Sequence, residues 1–189
     1  MNLVINADWI LTKQAIIQKV YTLFGGLSGR FDAMLAASQA ALPEEIQSVS
    51  PKIYKGEQYR LLPYVLLDNP RYFKGENIFA IRSMFWWGNY FSIHLHLGGK
   101  FKDMYGPRIT DAMQYGELNN WYIAVDESPW EHHFEEDNYR QIKDIRQSGK
   151  SIFGEQEFIK LAQKHPLQEW ELAASFFEEK YRAILEVLH

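Results

Sequence analysis

Cysteine is absent from the 189 residues of the chain. This absence excludes disulfide bonds, thiol nucleophiles and thiolate metal ligands, so a metal site would have to use His, Asp or Glu. A chain without disulfides is compatible with a reducing compartment, and we expect a cytoplasmic protein. No cofactor is indicated by any complete motif.

Long apolar runs are also missing. The longest stretch without Lys, Arg, Asp or Glu, residues 83–99, contains Gly88, Asn89 and two histidines, and it is shorter than the roughly 20 apolar residues that span a bilayer. The N-terminal residues MNLVINADWILTK lack the basic region of a signal peptide, and Asp8 interrupts their apolar part. We expect neither a secretion signal nor a membrane span.

No single sign of charge dominates, because 20 basic and 24 acidic residues give a net charge of −4. Such a balance argues against a general nucleic-acid binder. The charges are nevertheless uneven: residues 52–108 hold nine basic and four acidic side chains, and residues 109–189 hold eight and sixteen. Either the two parts face one another or are simply solvated, or the basic segment 52–108 binds an anion or a nucleic acid.

Helical patterns occupy both ends of the chain. Thr12 can cap a helix whose apolar residues recur on one face as far as Phe24, and Gly25 and Gly26 are suited to end it. A second helix is predicted over 30–42, so the N-terminal third should form a helix pair. Pro166 should open a long C-terminal helix, and shorter helices are predicted over 138–147 and 155–164.

Extended segments fill the middle of the chain. Residues 50–73 break into short pieces, and the two clearest strands, 77–87 and 90–97, flank Gly88-Asn89, a two-residue connection typical of tight β-hairpins. Another strand is predicted over 119–126. The chain is long enough to bury one hydrophobic core, so we expect residues 1–189 to form a single α+β domain. In this domain, a small, mainly antiparallel sheet is covered by the N-terminal helix pair and the long C-terminal helix.

The hairpin turn predicts which side chains share a face. With Gly88 and Asn89 as the turn, Trp87 lies opposite Tyr90, and Arg82 falls on an apolar face that includes Phe91. A guanidinium on such a face needs a carboxylate, an aromatic ring or a ligand, and Glu57 or Asp68 would serve inside the protein. The other face holds Ser83, His94, His96 and an aromatic group made of Phe85, Trp87 and Tyr90.

His94 and His96 point the same way on their strand, as the first two imidazole ligands of a metal would. Further ligands could come from WEHHFEED, which contains His132 and His133 among acidic residues, although this segment equally suits a solvated loop. Gly88, His94 and His96 resemble part of the first cupin motif, and the resemblance implies a metal-binding barrel. The chain departs from that motif, because Lys100 and Phe101 stand where its acidic ligand belongs.

Three functions from different classes remain open. The first is a non-catalytic binding module that recognises a small molecule or a protein partner through Arg82, Phe85, Trp87 and Tyr90, with an exposed apolar patch and a possible homodimer. The second is a metal-dependent enzyme that uses His94 and His96 with His132 or His133. The third is an anion or nucleic-acid binder that uses the basic segment. No motif is complete, so the binding module is the expectation.

Overall fold

The computed structural model describes residues 4–38, 42–148 and 156–189. Within these residues the chain forms a seven-stranded sheet in the order β1-β2-β3-β4-β7-β5-β6, and its neighbouring strands are antiparallel. The strands are β1 (Lys52–Tyr59), β2 (Leu62–Lys74), β3 (Asn77–Trp86), β4 (Tyr90–Gly98), β5 (Tyr122–Ala124), β6 (Tyr139–Gln141) and β7 (Phe158–Pro166). The predicted α+β class and the mainly antiparallel sheet are therefore confirmed.

Helices pack on one face of this sheet. They are α1 (Ala7–Ala37), α2 (Glu44–Gln47), α3 (Lys100–Tyr115), α4 (Ile142–Ser148), a 3-10 helix (Leu167–Leu172) and α5 (Ala173–Leu188). The long C-terminal helix is thus confirmed. The main hydrophobic core lies between this helical layer and the strand residues that point towards it. None of the helices in the described ranges combines the length and apolar character needed to cross a bilayer.

The predicted N-terminal helix pair is wrong, because α1 is one continuous helix of 31 residues. Gly25 and Gly26 lie inside it, although a glycine costs a helix interior about 1 kcal/mol relative to alanine. The cost is offset because one apolar stripe runs past these glycines without interruption. Phe24 and Phe31 on this stripe are fully buried, and Phe31 stacks on Tyr181 of α5 at 3.9 Å between ring centroids. Residues 39–41 of the predicted second helix lie outside the described residues.

The short helix predicted over 155–164 is also wrong where residues are described, because residues 158–166 form β7 between β4 and β5. Its composition suits a helix, but pairing on both sides overrides local preference. The helix predicted over 138–147 is correct only from Ile142, since Tyr139–Gln141 form β6. Helix α3 was not predicted at all, and it contains Pro107.

The hairpin between β3 and β4 has one more loop residue than predicted. Trp86 pairs with Tyr90, so the connection is 87–89, with Gly88 at a φ of +69°. One extra residue reverses the side-chain directions of a whole strand relative to its neighbour. Arg82 therefore pairs directly with His94 instead of sharing a face with Phe91.

The sheet face away from the helices is covered by a loop. Residues 126–137, which we call the flap, connect β5 to β6, and they contain the WEHHFEED segment. Hydrogen bonds and ring contacts join the flap to β1, β4 and β7. The sequence alone did not indicate whether this segment reaches the strands, and the structure brings it directly onto them.

Candidate functional site

A group of polar side chains is buried between the sheet and the flap. We call it the polar cluster, and its members are Asp68, Arg82, Ser92, His94, His96, His132, Tyr139 and Lys160. Strand alternation places the strand residues of the cluster on one side of the sheet. Asp68, Arg82 and His94 pair directly across β2, β3 and β4, and Lys160 on β7 pairs with His96 of β4. Burying so many polar groups costs free energy unless each finds a partner, so the partners define the site.

Arg82 and Asp68 form a two-point ion pair at the centre of this face. Nε of Arg82 lies 2.7 Å from Oδ1 of Asp68, and Nη2 lies 2.9 Å from Oδ2. The Tyr54 hydroxyl donates to Oδ2 of Asp68 at 3.0 Å and accepts from Nη2 of Arg82 at 2.8 Å. The expected internal partner of Arg82 is thereby confirmed as Asp68, whereas Glu57 pairs with Lys13. The Arg82 guanidinium is occupied within the protein.

His94 is held by two hydroxyl groups. Its Nε2 lies 2.8 Å from Oγ of Ser92, and its Nδ1 lies 2.9 Å from the hydroxyl oxygen of Tyr139. Burial lowers the pKa of His94 well below its usual value, and the nearby charge of Arg82 lowers it further. His94 is therefore a neutral imidazole with both nitrogens engaged.

Lys160 joins the flap to β7, and only 1% of its surface is exposed. Its Nζ donates to the backbone oxygens of Pro129 at 2.8 Å and Glu131 at 2.5 Å, and it lies 3.1 Å from Nδ1 of His132. The other ring nitrogen of His132 faces Nη1 of Arg82 at 3.3 Å.

The donors and acceptors around the His132 ring indicate the charge of Lys160. A neutral imidazole offers one donor and one acceptor, and Arg82 can only donate. If His132 accepts from Arg82 at Nε2, its Nδ1 carries the proton and must donate to Lys160. Every partner is satisfied when Lys160 is an unprotonated amine that accepts this bond. Burial lowers the pKa of Lys160 well below its usual value, and repulsion from Arg82 acts in the same direction.

The Tyr59 hydroxyl fixes the middle of the flap. It accepts hydrogen bonds from the backbone N–H groups of His132 at 2.7 Å and His133 at 3.0 Å, and it donates to Oε2 of Glu131 at 2.9 Å. Arg60 extends the contact by pairing with Glu135 at 2.8 Å. Here the basic middle of the chain faces its acidic end, as one of the two charge alternatives predicted.

The four candidate metal ligands do not converge on one point. The rings of His94 and His132 lie 5.0 Å apart, but their nitrogens are engaged as described, and a metal cation there would adjoin Arg82 and Lys160. His96 lies elsewhere, between the rings of Trp130 and Phe158. The geometry therefore does not favour the His94 and His96 metal hypothesis.

His133 has a different environment from the other three candidates. In the described part of the chain, it forms with Glu135 and Asp137 the one group whose potential ligand atoms all lie within 4.8 Å of one another. Glu135 is already paired with Arg60, and both carboxylates are exposed. A metal at His133 stays a prediction.

The aromatic residues Phe85, Trp87 and Tyr90 do not form one surface. Phe85 and Trp87 lie on the helical side, where Phe85 also contacts Trp170 at 5.8 Å between ring centroids. Tyr90 lies on the flap side beside Phe134. Phe85 and Trp87 contribute instead to a groove of about 380 Å³, which we call the Trp groove. Its lining residues are Ile16, Lys19, Phe85, Trp87, Gly88, Leu167, Trp170 and Glu171.

An exposed apolar surface that was not predicted lies on α1, up to two turns before Ile16 of this groove. Trp9 and Ile10, at the start of α1, are 44% and 42% exposed. Residues 9, 13, 16, 20 and 24 follow one another at gaps of three or four, so Trp9 lies on the same helix stripe as the fully buried Val20 and Phe24. This pattern was available in the sequence, but with Thr12 as the cap Trp9 fell outside the predicted helix.

Comparisons with protein-family models, with curated proteins and with solved structures found no match to this chain.

Proposed function

We propose that this chain is a non-catalytic cytoplasmic interaction module that assembles with a second copy of itself through the start of α1. The observation that supports this is the apolar stripe of α1, which continues to the start of the helix, where Trp9 and Ile10 are 44% and 42% exposed and do not belong to the hydrophobic core. We call residues 7–13 the α1 overhang. Contiguous exposed apolar surface of this kind is typical of protein-protein contacts.

The overhang has the pattern of a buried helix. Val20, Phe24 and the later stripe residues pack in the core, and Ile16 and Ile17 are partly buried against it. One to two turns earlier, Trp9 and Ile10 have the same orientation but are exposed. Tryptophan is among the residues that contribute most to binding when a partner buries them. Covering this stripe would therefore stabilise an assembly.

A second copy suits this surface because the stripe is self-complementary. If two α1 helices cross antiparallel near Lys13, Ile10 of each copy lies opposite Ile16 of the other. Trp9 then lies opposite Ile17, close to the Trp groove that Ile16 helps to line. Both copies use the same patch, as a twofold dimer requires. Lys13 lies 3.3 Å from Glu57 of its own copy, which reduces repulsion between the two lysines at the axis.

Sedimentation velocity of the full chain over a range of micromolar concentrations tests the proposal. We expect a concentration-dependent dimer that Ile10→Glu weakens at least tenfold. Leu11→Glu is the matched control, because Leu11 is 62% exposed and lies on the opposite side of the helix. A chain that is monomeric at the highest concentration, or a dimer that both variants weaken equally, would contradict the proposal.

Cross-linking locates the interface independently. Because the chain contains no cysteine, a single introduced cysteine can form a disulfide only with the same residue of a second copy. The variant Lys13→Cys should form a disulfide-linked dimer rapidly under mild oxidation, since the two residues meet at the proposed axis. Leu11→Cys should react much more slowly. Equal rates for the two variants would exclude this helix pairing even if a dimer exists.

A further inference from the structure

A cleft of about 320 Å³ lies on the opposite side of the molecule from the Trp groove surface, at the end of the β3-β4 hairpin. It is bounded by the start of α3, the start of β7 and the flap residues Glu127 and Pro129. We call it the His96 cleft, because His96 lines it. Its volume falls in the range of small-molecule sites.

His96 is the buried polar group of this cleft. Only 3% of its surface is exposed, and its buried Nε2 has no hydrogen-bond partner among the described residues. Its ring is held between Trp130 and Phe158 at centroid distances of 5.5 and 5.8 Å. A buried polar atom without a partner is unfavourable, and a ligand in the cleft that donates a hydrogen bond would satisfy it.

The rim of the cleft is strongly acidic. Four carboxylates line it, from Glu76, Asp103, Glu127 and Glu157. They face a single basic side chain, Lys102, whose Nζ already donates to the backbone oxygen of Gln156. A cleft with this balance of charge attracts cations and disfavours anions.

A bare metal ion does not fit this arrangement. In the described part of the chain, the group of ligand atoms close enough to share one ion is formed by His133, Glu135 and Asp137, none of which lines this cleft. The carboxylates around His96 are too far apart to chelate a single ion, and the volume suits a molecule. Phe158 adds an aromatic wall, which favours organic cations.

We propose that the His96 cleft binds a small organic cation with N–H donors, such as a primary ammonium or guanidinium compound, and that His96 accepts a hydrogen bond from it. The carboxylates of the rim supply attraction, and the imidazole supplies selectivity for donors. This proposal is independent of self-association through α1.

The charge state of His96 is consistent with this role. Burial, together with the charge of Arg82, lowers the pKa of His96 to about 3. The imidazole is therefore neutral at physiological pH, so it keeps a lone pair and does not repel a cation. The groups near it on neighbouring strands are Lys160 on β7 and Arg82 on β3. The carboxylates of the rim come from α3, the flap, the β2-β3 turn and the residue before β7, and Lys102 comes from α3.

Isothermal titration calorimetry with putrescine and agmatine tests the proposal, and tetramethylammonium serves as a cation without N–H donors. We expect either amine to bind at least tenfold more tightly than tetramethylammonium, and we expect the affinity to fall as salt is raised. His96→Phe keeps a ring between Trp130 and Phe158 but removes the acceptor, and it should weaken amine binding tenfold or more.

Three further variants keep the test decisive. His96→Gln retains an acceptor and should retain most of the binding, which separates loss of the hydrogen bond from loss of folding. Asp103→Asn with Glu127→Gln should weaken all the cations, whereas Glu179→Gln, a carboxylate on α5 outside the cleft, should change nothing. No measurable amine binding, equal affinity for tetramethylammonium, or identical binding by His96→Phe would each overturn the proposal.

Discussion

Nζ of Lys160 lies 3.1 Å from Nδ1 of His132, and this contact joins the central strand β7 to the flap that covers it. Both groups are buried, and the next neighbour of the imidazole is the Arg82 guanidinium. The hydrogen bonds of His132 with Arg82 and Lys160 can all form when Lys160 is neutral. The folded protein should therefore hold one proton fewer than the unfolded chain at neutral pH.

Stability should therefore depend on the ionisation of Lys160. Its pKa in the folded protein lies well below the ordinary value of 10.5, so between these two values the unfolded chain carries the additional proton. Raising the pH through this window favours the folded state by up to about 1.4 kcal/mol per pH unit. In urea denaturation from pH 7.5 to 9.5, wild type should gain stability relative to Lys160→Met.

Lys164→Met is the matched control for this measurement, because Lys164 is an exposed residue four positions along the same strand. If the difference between wild type and Lys160→Met is the same at every pH, Lys160 is protonated in the folded protein, and the hydrogen-bond assignment at His132 is wrong.

The Arg82–Asp68 pair should behave as one unit in a double-mutant cycle. Removing one partner of a buried ion pair leaves the other charge uncompensated and costs about 3–5 kcal/mol. Arg82→Met and Asp68→Leu should each be this destabilising, and the double variant should cost clearly less than the sum. Arg60→Met, which breaks the exposed pair with Glu135, should have a much smaller effect on the urea midpoint. Additive effects in the cycle would show that the two buried side chains do not depend on each other.

The hairpin shows how far the sequence leads and where it fails. Both strands were predicted correctly, because β-branched and aromatic residues flank Gly88-Asn89. The register of their pairing was predicted wrongly, because a loop of two residues and a loop of three are both compatible with Gly88-Asn89. This difference of one residue decided whether Arg82 lay among apolar side chains or opposite His94.

The rest of the polar cluster depends on contacts distant in sequence. Lys160 was assigned to a helix, because nothing local indicates that residues 158–166 lie between two strands. Asp68 was recognised as a possible partner of Arg82, since an unpaired guanidinium on a core face is too costly. His132 could not be placed beside His94 from sequence, because 38 positions separate them and the flap has no regular periodicity.

Acid should destabilise the protein through its buried histidines. The pKa of His96 in the folded state is about 3, whereas an unfolded histidine titrates near 6.5. Between these values the unfolded chain binds the additional proton, so lowering the pH disfavours folding by up to about 1.4 kcal/mol per unit for this residue alone. In denaturation experiments from pH 6.5 to 4.5, His96→Gln should lose less stability than wild type. His189→Gln, at the exposed C-terminal residue, is the matched substitution, and an equal loss in all three proteins would contradict the assignment.

The hydrogen bonds between the Tyr59 hydroxyl and the flap predict how often the flap opens. Its hydroxyl accepts from two backbone N–H groups, at His132 and His133, and Tyr59→Phe would leave both without a partner. An unpaired buried donor costs about 1–3 kcal/mol, and the flap should bear that cost by opening more often. Hydrogen exchange of the backbone amides of residues 132 and 133 should accelerate at least tenfold in Tyr59→Phe, while amides in β3 and β4 stay protected.

Tyr64→Phe is the control, because the ring of Tyr64 packs against that of Tyr59 but its hydroxyl makes no hydrogen bond to the described residues. In this variant the flap amides should exchange as in wild type. Unchanged exchange in Tyr59→Phe would mean that the remaining flap contacts, including those of Lys160 and the Arg60–Glu135 pair, keep the flap closed without this hydroxyl. Equal acceleration in both variants would trace the effect to ring packing instead of to the hydroxyl.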